Sequence, residues 1–315
     1  MRFIQKIICS LYKKNYNKAA NYPSLQKNLD FLFHQLVDEK KQIQILFYRS
    51  LGFYNSFNNP KTFNEKIQWL KINDRSELHT LCADKLLVRE YIKEQIGEKY
   101  LIPLLYKTQN VYDLNINQPK IKEPCIIKTN HDSGTFVIIK DSKEELDWGK
   151  IQKKLKKSLT RNYYFRWFEW QYKNIKPYVI IEKLLQDSNG KIPVDYKFHC
   201  FEGKVEYIQV DIDRDTNHRR NIYDPNWNLC NFIIDCKNGE PQSKPENLDK
   251  MMEIASKLAS KFSYVRIDLY NVNNVIYFGE ITFHSTSGHQ PFIPKYYDKY
   301  WGDKINLNSS LIKNL

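Results

Sequence analysis

The clearest pattern of alternating apolar and polar positions in the chain is Val265–Gly288, VRIDLYNVNNVIYFGEITFHSTSG. It predicts two strands, Val265–Tyr270 and Val275–Phe283, joined by a turn at Asn271–Asn274. Strand side chains alternate faces, so a slip of one residue reverses all of them. A three-residue loop at Asn273–Val275, with an Asn at the positive-φ position of a bulge, sets Asp268 opposite Glu280 and Arg266 opposite Thr282. Val265, Ile267 and Leu269 then share the other face with Ile281 and Phe283. A two-residue Asn273-Asn274 turn would put Asp268 on the face away from Glu280, so the bulged loop is the expectation.

Helical spacing of Leu25, Leu29, Leu32, Phe33 and Leu36 predicts a helical, polar segment over residues 1–59. Phe3, Ile7, Ile8 and Leu11 also share a helical face, with Lys6, Lys13 and Lys14 off it, as a docking or membrane-surface helix would have. After the boundary at Asn58-Asn59-Pro60, Thr62 and Glu65 form a capping box that opens a helix carrying Ile67, Trp69 and Leu70. The next helix is expected from Asp84 as N-cap, with Lys85 in its first turn, Leu87, Tyr91 and Ile92 on its apolar face, and Gly97 at its end. YLIPLLY (100–106) predicts an edge strand or connector, Pro124–Lys128 and Phe136–Lys140 two strands, and Trp148–Leu159 a very basic amphipathic helix. The aromatic run Tyr163–Tyr172 suits a core or a sugar-stacking platform. Tyr178–Leu185 predicts a buried strand, Val194–Phe201 and Lys204–Asp211 a hairpin, and Pro245–Phe262 a last amphipathic helix.

With 315 residues the chain can hold a large core and two or three subdomains. Its formal charge of +13 calls for an anionic partner: nucleic acid, lipid, glycan or nucleotide phosphates. No nucleic-acid-binding signature accompanies the charge, so nucleic acid is the weaker of these. The six scattered cysteines form no C-x-x-C pair and read as free thiols of a reducing compartment. The basic N-terminus lacks a small-residue cleavage site, and no run is long and apolar enough for a transmembrane span.

Two opposed carboxylates such as Asp268 and Glu280 repel unless a proton or cation lies between them, and hard oxygen ligands of this kind suit Mg²⁺ together with phosphates. Arg266 beside them is placed to reach phosphate oxygens, although a hairpin whose charges simply face water has the same pattern. Lys128 ends a strand beneath the Ser133-Gly134-Thr135 loop, whose N–H groups can face phosphates, yet no Walker A spacing is present. Asp211-Ile-Asp213 is the D-x-D pattern of nucleotide-sugar transferases, and Arg214–Arg220 is a basic loop suited to carboxylate or phosphate. His284 and His289 lack a third zinc ligand, and no Ser/His/Asp or Cys/His arrangement stands out.

The order of these weak signals is more informative than any one of them. NPKTFNEKIQWL, ADKLLVREYI, IIKTNHDSG, EWQYKNIKP, DYKFHCFEGK, NHRRNIYD and VRIDLYN…YFGEITF, over roughly residues 50–290, resemble the TupA-like ATP-grasp family of polysaccharide-biosynthesis clusters. The resemblance implies an α+β ATP-grasp fold in which two α+β subdomains enclose a nucleotide behind a helical N-terminal extension. The expected division is 1–59 as the basic extension, 60–120 as the N-terminal ATP-grasp region, 121–185 as the ATP-lid subdomain and 186–315 as the metal and acceptor subdomain.

By the same resemblance, Lys85 and Lys128 hold ATP phosphates beneath a flap at Ser133, Gly134 and Thr135. Glu182 with Lys183 and Leu185 matches the adenine-reading hinge, Asp195 the ribose contact, and Lys197 a further phosphate contact. Asp268 and Glu280 match the Mg²⁺ pair, with Thr282 where many relatives carry an Asn ligand. Arg266 and Arg219 match the residues expected to steady an acyl phosphate or acceptor carboxylate. The implied activity is ADP-forming ligation of a carboxylate-bearing sugar or glycan to an amine or amino acid. It would take place in the cytoplasm or at the inner membrane face, against a membrane-linked glycan. A sugar kinase, a glycosyltransferase using Asp211 and Asp213, and a non-enzymatic basic adaptor are the alternatives left open.

Overall fold

A computed structural model describes residues 7, 9–10, 32–115, 123–141, 146–213 and 217–313. Leu25, Leu29, Phe3, Ile8 and Leu11 of the expected N-terminal helical faces lie outside the described residues, as do the first three residues of the Arg214–Arg220 loop. Helix α1 (Glu39–Leu51) starts where the Asp38 side chain accepts from the Lys41 N–H and stops at Gly52, whose φ of 82° suits a residue without a Cβ. Ile43, Ile45 and Leu46 of α1, with Phe33 and Val37 before it, pack on Tyr164 and Phe168. Two members of the aromatic run are therefore core, although Phe165 beside them stays exposed.

The capping box forms as expected and opens α2 (Phe63–Asn73), which buries Phe63, Ile67 and Leu70. The expected helix from Asp84 does not form there. Asp84 instead ends α3 (Glu77–Ala83), and α4 (Val88–Gln95) begins four residues later. The Asp84 carboxylate caps the intervening turn, accepting from the N–H groups of Leu86 and Leu87 and from Asn130 Nδ2. Lys85 thus sits in a turn tied to the loop after Lys128, with its N–H donating to the Asn130 carbonyl.

Two antiparallel sheets follow, and the α+β expectation holds. The first contains β1 (Leu104–Thr108), β2 (Cys125–Thr129), β3 (Phe136–Ile139) and β4 (Val179–Lys183), in the order β1-β4-β2-β3. Leu155 and Ile151 of the basic helix α5 (Trp148–Leu159) cover it against Cys125, Ile127, Val179 and Ile181. A four-residue α6 (Tyr164–Trp167) leads into the aromatic segment. The second sheet takes β5 (Asp195–Phe201), β6 (Lys204–Ile212) and β7 (Arg219–Tyr223), then β9 (Tyr264–Val272) and β10 (Val275–Thr282), in the order β10-β9-β5-β6-β7. A short β8 (Ile233–Ile234) pairs separately with β11 (Phe292–Ile293). One face of the five-stranded sheet buries Phe198, Ile208, Val210, Ile267 and Leu269 against α7 (Leu248–Ala259). On the opposite face, one end packs against α2 and α8 (Tyr296–Asp303), and the rest carries charge.

The β9–β10 hairpin has the expected sorting but a different device. Asp268 pairs with Glu280 and Arg266 with Thr282. The turn, however, is the two-residue Asn273-Asn274, both at positive φ (49° and 63°), and Val275 pairs directly with Val272. The register shifts later, between Phe278 and Glu280. Gly279 is the extra residue, and a Cβ there would lie 3.0 Å from the Asp268 carbonyl. Without that bulge Glu280 would fall opposite Ile267, on the apolar face.

Among the described residues no helix is long and apolar enough to cross a membrane. Trp301 organises the core under α2 and α8: it stacks on Tyr207 at 4.3 Å and meets Phe63 edge-on at 5.5 Å. Trp301→Ala is expected to lower the unfolding free energy by about 3–5 kcal/mol. A urea titration measures this, and a loss under about 1 kcal/mol would show that α8 is not a stabilising part of the core.

Candidate active site

A small cleft opens between the two sheets, lined by Lys85, Arg89, Lys128, Glu182 and the bulge residue Gly279. Val88, Leu101, Ile102 and Phe278 supply its apolar wall. Lys128 reaches it because β2 alternates Cys125 and Ile127 into the core and Ile126 and Lys128 out of it. Lys128 Nζ lies 2.6 Å from Glu182 Oε2, and Arg89 Nη1 lies 3.4 Å from Glu182 Oε1. Glu182 is therefore the counter-ion of two cations, a role its place at a strand end did not reveal. Arg89 was missed by sequence reasoning, its one signal being a second basic residue four positions after Lys85.

Lys85 Nζ donates to the Asp132 carbonyl, which holds it under the flap. Burial lowers its pKa, while Glu280 raises it and Lys128 lowers it further. Lys85 thus joins the cleft to the hairpin. The flap is braced by Asp132, whose carboxylate accepts from Thr129, from Thr135 at 2.6 Å and from Ser158. Ser133 and Gly134 remain exposed at its tip, with Gly134 at φ 89°. At the hinge, the Lys183 N–H is taken by the Pro103 carbonyl and the Leu184 N–H by Pro124, whereas Leu185 lies beyond these pairs.

Across the polar face of the second sheet, charges alternate in sign. Arg266 donates to Asp268 through Nε (2.7 Å) and Nη2 (2.8 Å), and through Nη2 to Glu280 Oε1 at 2.8 Å. Thr282 Oγ1 donates to the same Glu280 oxygen at 2.8 Å. Lys197 Nζ lies 2.6 Å from Asp195 and 3.6 Å from both Asp268 and Asp211. Asp211 then accepts from Arg220 Nε at 2.7 Å. Burial tends to raise the Glu280 pKa, but Arg266, then Lys85, Thr282 and Lys197, outweigh it and hold the carboxyl at about 2. Burial works against the Arg266 charge, yet Asp268 and Glu280 keep its pKa above the usual value.

The expectation for Arg219 needs correction. Arg220, not Arg219, joins this face, because Arg220 pairs with Asp211 and neighbouring strand residues point to opposite sides. Arg219 lies instead against Gly239, where an added Cβ would come within 2.9 Å of its own Cβ. Asp211 is spent on Arg220, His218 and Gln209, which leaves the D-x-D pair without a free first carboxylate. Asp213 lies exposed in a left-handed conformation, φ 50°.

The fit of Mg²⁺ can be tested on these donors. Asp268 and Glu280 offer hard oxygens on one face. The Arg266 fork engages both Asp268 oxygens, whereas the Glu280 side chain keeps 39% of its surface exposed. Among the described residues no cluster of three or more His, Cys, Asp or Glu converges on one point. The donor set therefore fits a cation shared with phosphate oxygens, with Glu280 as its more accessible protein ligand.

His199, fully buried beside Arg266, is a measurable reporter of this face. Its Nδ1 accepts from the Tyr264 hydroxyl at 2.9 Å and its Nε2 donates to Gln209 Oε1 at 3.2 Å, so the neutral ring satisfies both partners. Burial, then the Arg266 charge, lowers its pKa to about 3. The unfolded chain binds the proton below about pH 6.5, so this stability is complete above that pH and is lost as pH falls toward about 3. His199→Gln should flatten the decline in urea midpoint between those limits; an unchanged acid limb would refute the assignment.

The TupA-like ATPgrasp family model matches residues 65–306. No curated protein matches the chain. Solved structures similar to it include a D-alanine–D-alanine ligase from Bacillus anthracis, 15% identical, over 78% of this chain and 84% of that one, at a TM-score of 0.43. Another is an ADP complex of purK, an N5-carboxyaminoimidazole ribonucleotide synthetase, 13% identical, over 78% and 58% of the two chains, at 0.44. Likenesses at this level carry no argument, and the family match does, because it spans well over half of the sequence. The chain belongs to the TupA-like ATP-grasp family.

Proposed function

We propose that the protein is an ADP-forming ligase that joins the carboxylate of a sugar or glycan to an amine during synthesis of a cell-surface polysaccharide. The observation that carries this reading is the convergence of Lys85, Lys128, Arg89 and Gly279, the hairpin residue next to Glu280, on one cleft. The apolar wall of Val88, Leu101, Ile102 and Phe278 suits an adenine ring, with the Leu185 N–H available beyond the paired hinge donors. The polysaccharide context comes from the resemblance in the sequence.

In this reading Lys85, Lys128 and Arg89 hold the phosphates of ATP, and Glu182 keeps the two outer cations in place until a triphosphate arrives. Glu280 and Asp268 would hold Mg²⁺, which would supply neutralising charge at the γ-phosphoryl group. Arg266 fixes the two acids, and Lys197 extends the positive field toward the acceptor. The acceptor carboxylate attacks the γ-phosphorus to give an acyl phosphate and ADP, and the amine then displaces phosphate. Catalysis needs positioning and electrostatics rather than a covalent nucleophile on the protein. In this reading the acceptor is a membrane-linked glycan or its precursor at the cytoplasmic side of the membrane, as the family resemblance implies.

Three outcomes check the proposal. With ATP, Mg²⁺ and a panel of hexuronates and amines, the protein should release ADP and phosphate in equal amounts. AMP and pyrophosphate would overturn the reading. Asp268→Asn and Lys128→Ala should each cut ADP release by about 100-fold or more, in line with the loss of a group that stabilises developing charge. Removal of Mg²⁺ with EDTA should abolish ADP release, with recovery on adding the ion back.

A further inference from the structure

Beside the acidic hairpin lies a second buried cluster that phosphate binding does not use. Glu169 is buried in the aromatic segment, and its Oε1 accepts a very short hydrogen bond from Ser287 Oγ. Among the described residues Ser287 is the one donor to this carboxyl, which leaves Oε2 unbonded. Lys71, also fully buried, spends its three protons elsewhere: on Gln68 Oε1 and on the carbonyls of Trp167 and Ser287, each at 2.9 Å. Lys71 thus balances the charge of Glu169 without capping it.

The turn that delivers Ser287 is strained and clamped. Thr286, Ser287 and Gly288 all lie in the left-handed region, at φ 46°, 53° and 65°, which a β-branched Thr rarely adopts. Gln68 Nε2 donates to the Ser287 and Gly288 carbonyls, both at 2.9 Å. A Cβ on Gly288 would meet Gln68 Nε2 at 2.5 Å and Ile67 at 2.7 Å. Helix α2 therefore holds the chain that leaves β10 so that Ser287 sits over Glu169.

Tyr172 links this cluster to the hairpin. Tyr172 follows Glu169 by three residues and donates its N–H to the Glu169 carbonyl at 3.1 Å; burial, then Glu169 and Glu280, raises its pKa well above the usual value. Tyr163 packs edge-on against Tyr172 at 5.0 Å. Burial likewise raises the pKa of Glu169, with Lys71 and Ser287 opposing it and Glu280 supporting it. Glu169 with its unbonded oxygen, the Ser287 hydroxyl and the Tyr172 phenol thus belong to the segments that join the aromatic run to the end of β10, surroundings that suit a primary ammonium group.

We infer that Glu169 is the base that receives the incoming ammonium group and takes its proton, with Ser287 and Tyr172 as positioning residues. The inference rests on the ligase reading above. An ammonium nitrogen has no lone pair, so its proton passes to Glu169 first. The neutral amine then forms the C–N bond to the acyl carbon while the C–O bond to phosphate breaks. Phosphate leaves as inorganic phosphate carrying the second nitrogen proton.

The test compares two nucleophiles in the full-length protein with ATP, Mg²⁺ and the hexuronate panel. Glycine and putrescine are protonated at neutral pH and need a base, whereas hydroxylamine is already neutral there. Glu169→Gln should lose about 100-fold or more of the amine-dependent rate and keep hydroxylamine-dependent ADP release within about threefold of wild type. Ser287→Ala and Tyr172→Phe should show the same selectivity at about tenfold, and they decide the matter if Glu169→Gln does not fold. Equal losses with both kinds of nucleophile, or no loss with either, overturn the role of Glu169 while the ligase reading stands. Failure of wild type to release ADP with hydroxylamine and every hexuronate overturns the ligase reading, and the base assignment with it.

Discussion

Arg266 donates to Asp268 with both arms of its fork and to Glu280 with one of them, and the charged face of the second sheet is built outward from that contact. Two carboxylates opposed across an antiparallel pair repel at close range. A guanidinium between them removes the repulsion without a bound ion and fixes the direction of each acid. The pattern then continues strand by strand, through Lys197 on β5 to Asp211 on β6 and Arg220 on β7. Buried ion pairs add little net stability, but removing one partner leaves an uncompensated charge, at a cost of roughly 3–5 kcal/mol. Such a row is kept whole because each member is the counter-ion of the next.

The same rule explains the other buried cations. Lys128 and Arg89 share Glu182 across the first sheet and α4, and Lys71 distributes its protons over one amide oxygen and two carbonyls. Each arrangement ties distant segments to the hairpin. Lys71 and Gln68 of α2 hold the turn after β10, and Lys85 holds the flap through Asp132 while sensing Glu280. The fold is thus a scaffold in which polar contacts set the relative placement of the cleft cations, the flap and the acidic hairpin, and apolar cores on either side make that placement rigid.

Much of this was legible in the chain. The capping box at Thr62 and Glu65, the helix over Trp148–Leu159, the β5–β6 hairpin and the strand carrying Lys128 all follow from local spacing and match the structure. Local rules failed where a side chain found a distant partner. Asp84 looks like the cap of a helix beginning at once, but it accepts from Asn130 Nδ2, 46 residues away, and α4 starts at Val88. Glu182 looks like a hinge residue and is a counter-ion. Arg219 and Arg220 are equal candidates in sequence, and only the pairing of β6 with β7 decides which one faces the acids.

The opening hairpin divides the two kinds of information most clearly. Alternation along Val265–Phe283 determined by itself that Asp268, Glu280, Arg266 and Thr282 share a face, because an apolar face must be buried whole. How the chain keeps that phase was decided by tertiary structure: the turn is a tight Asn-Asn, and the extra residue is Gly279, where the strand crosses close to the Asp268 carbonyl and borders the cleft. The bulge has no signature beyond a single glycine. Its place lies where the hairpin meets the cleft wall of Lys85, Arg89 and Lys128, a meeting that exists only once the chain has folded.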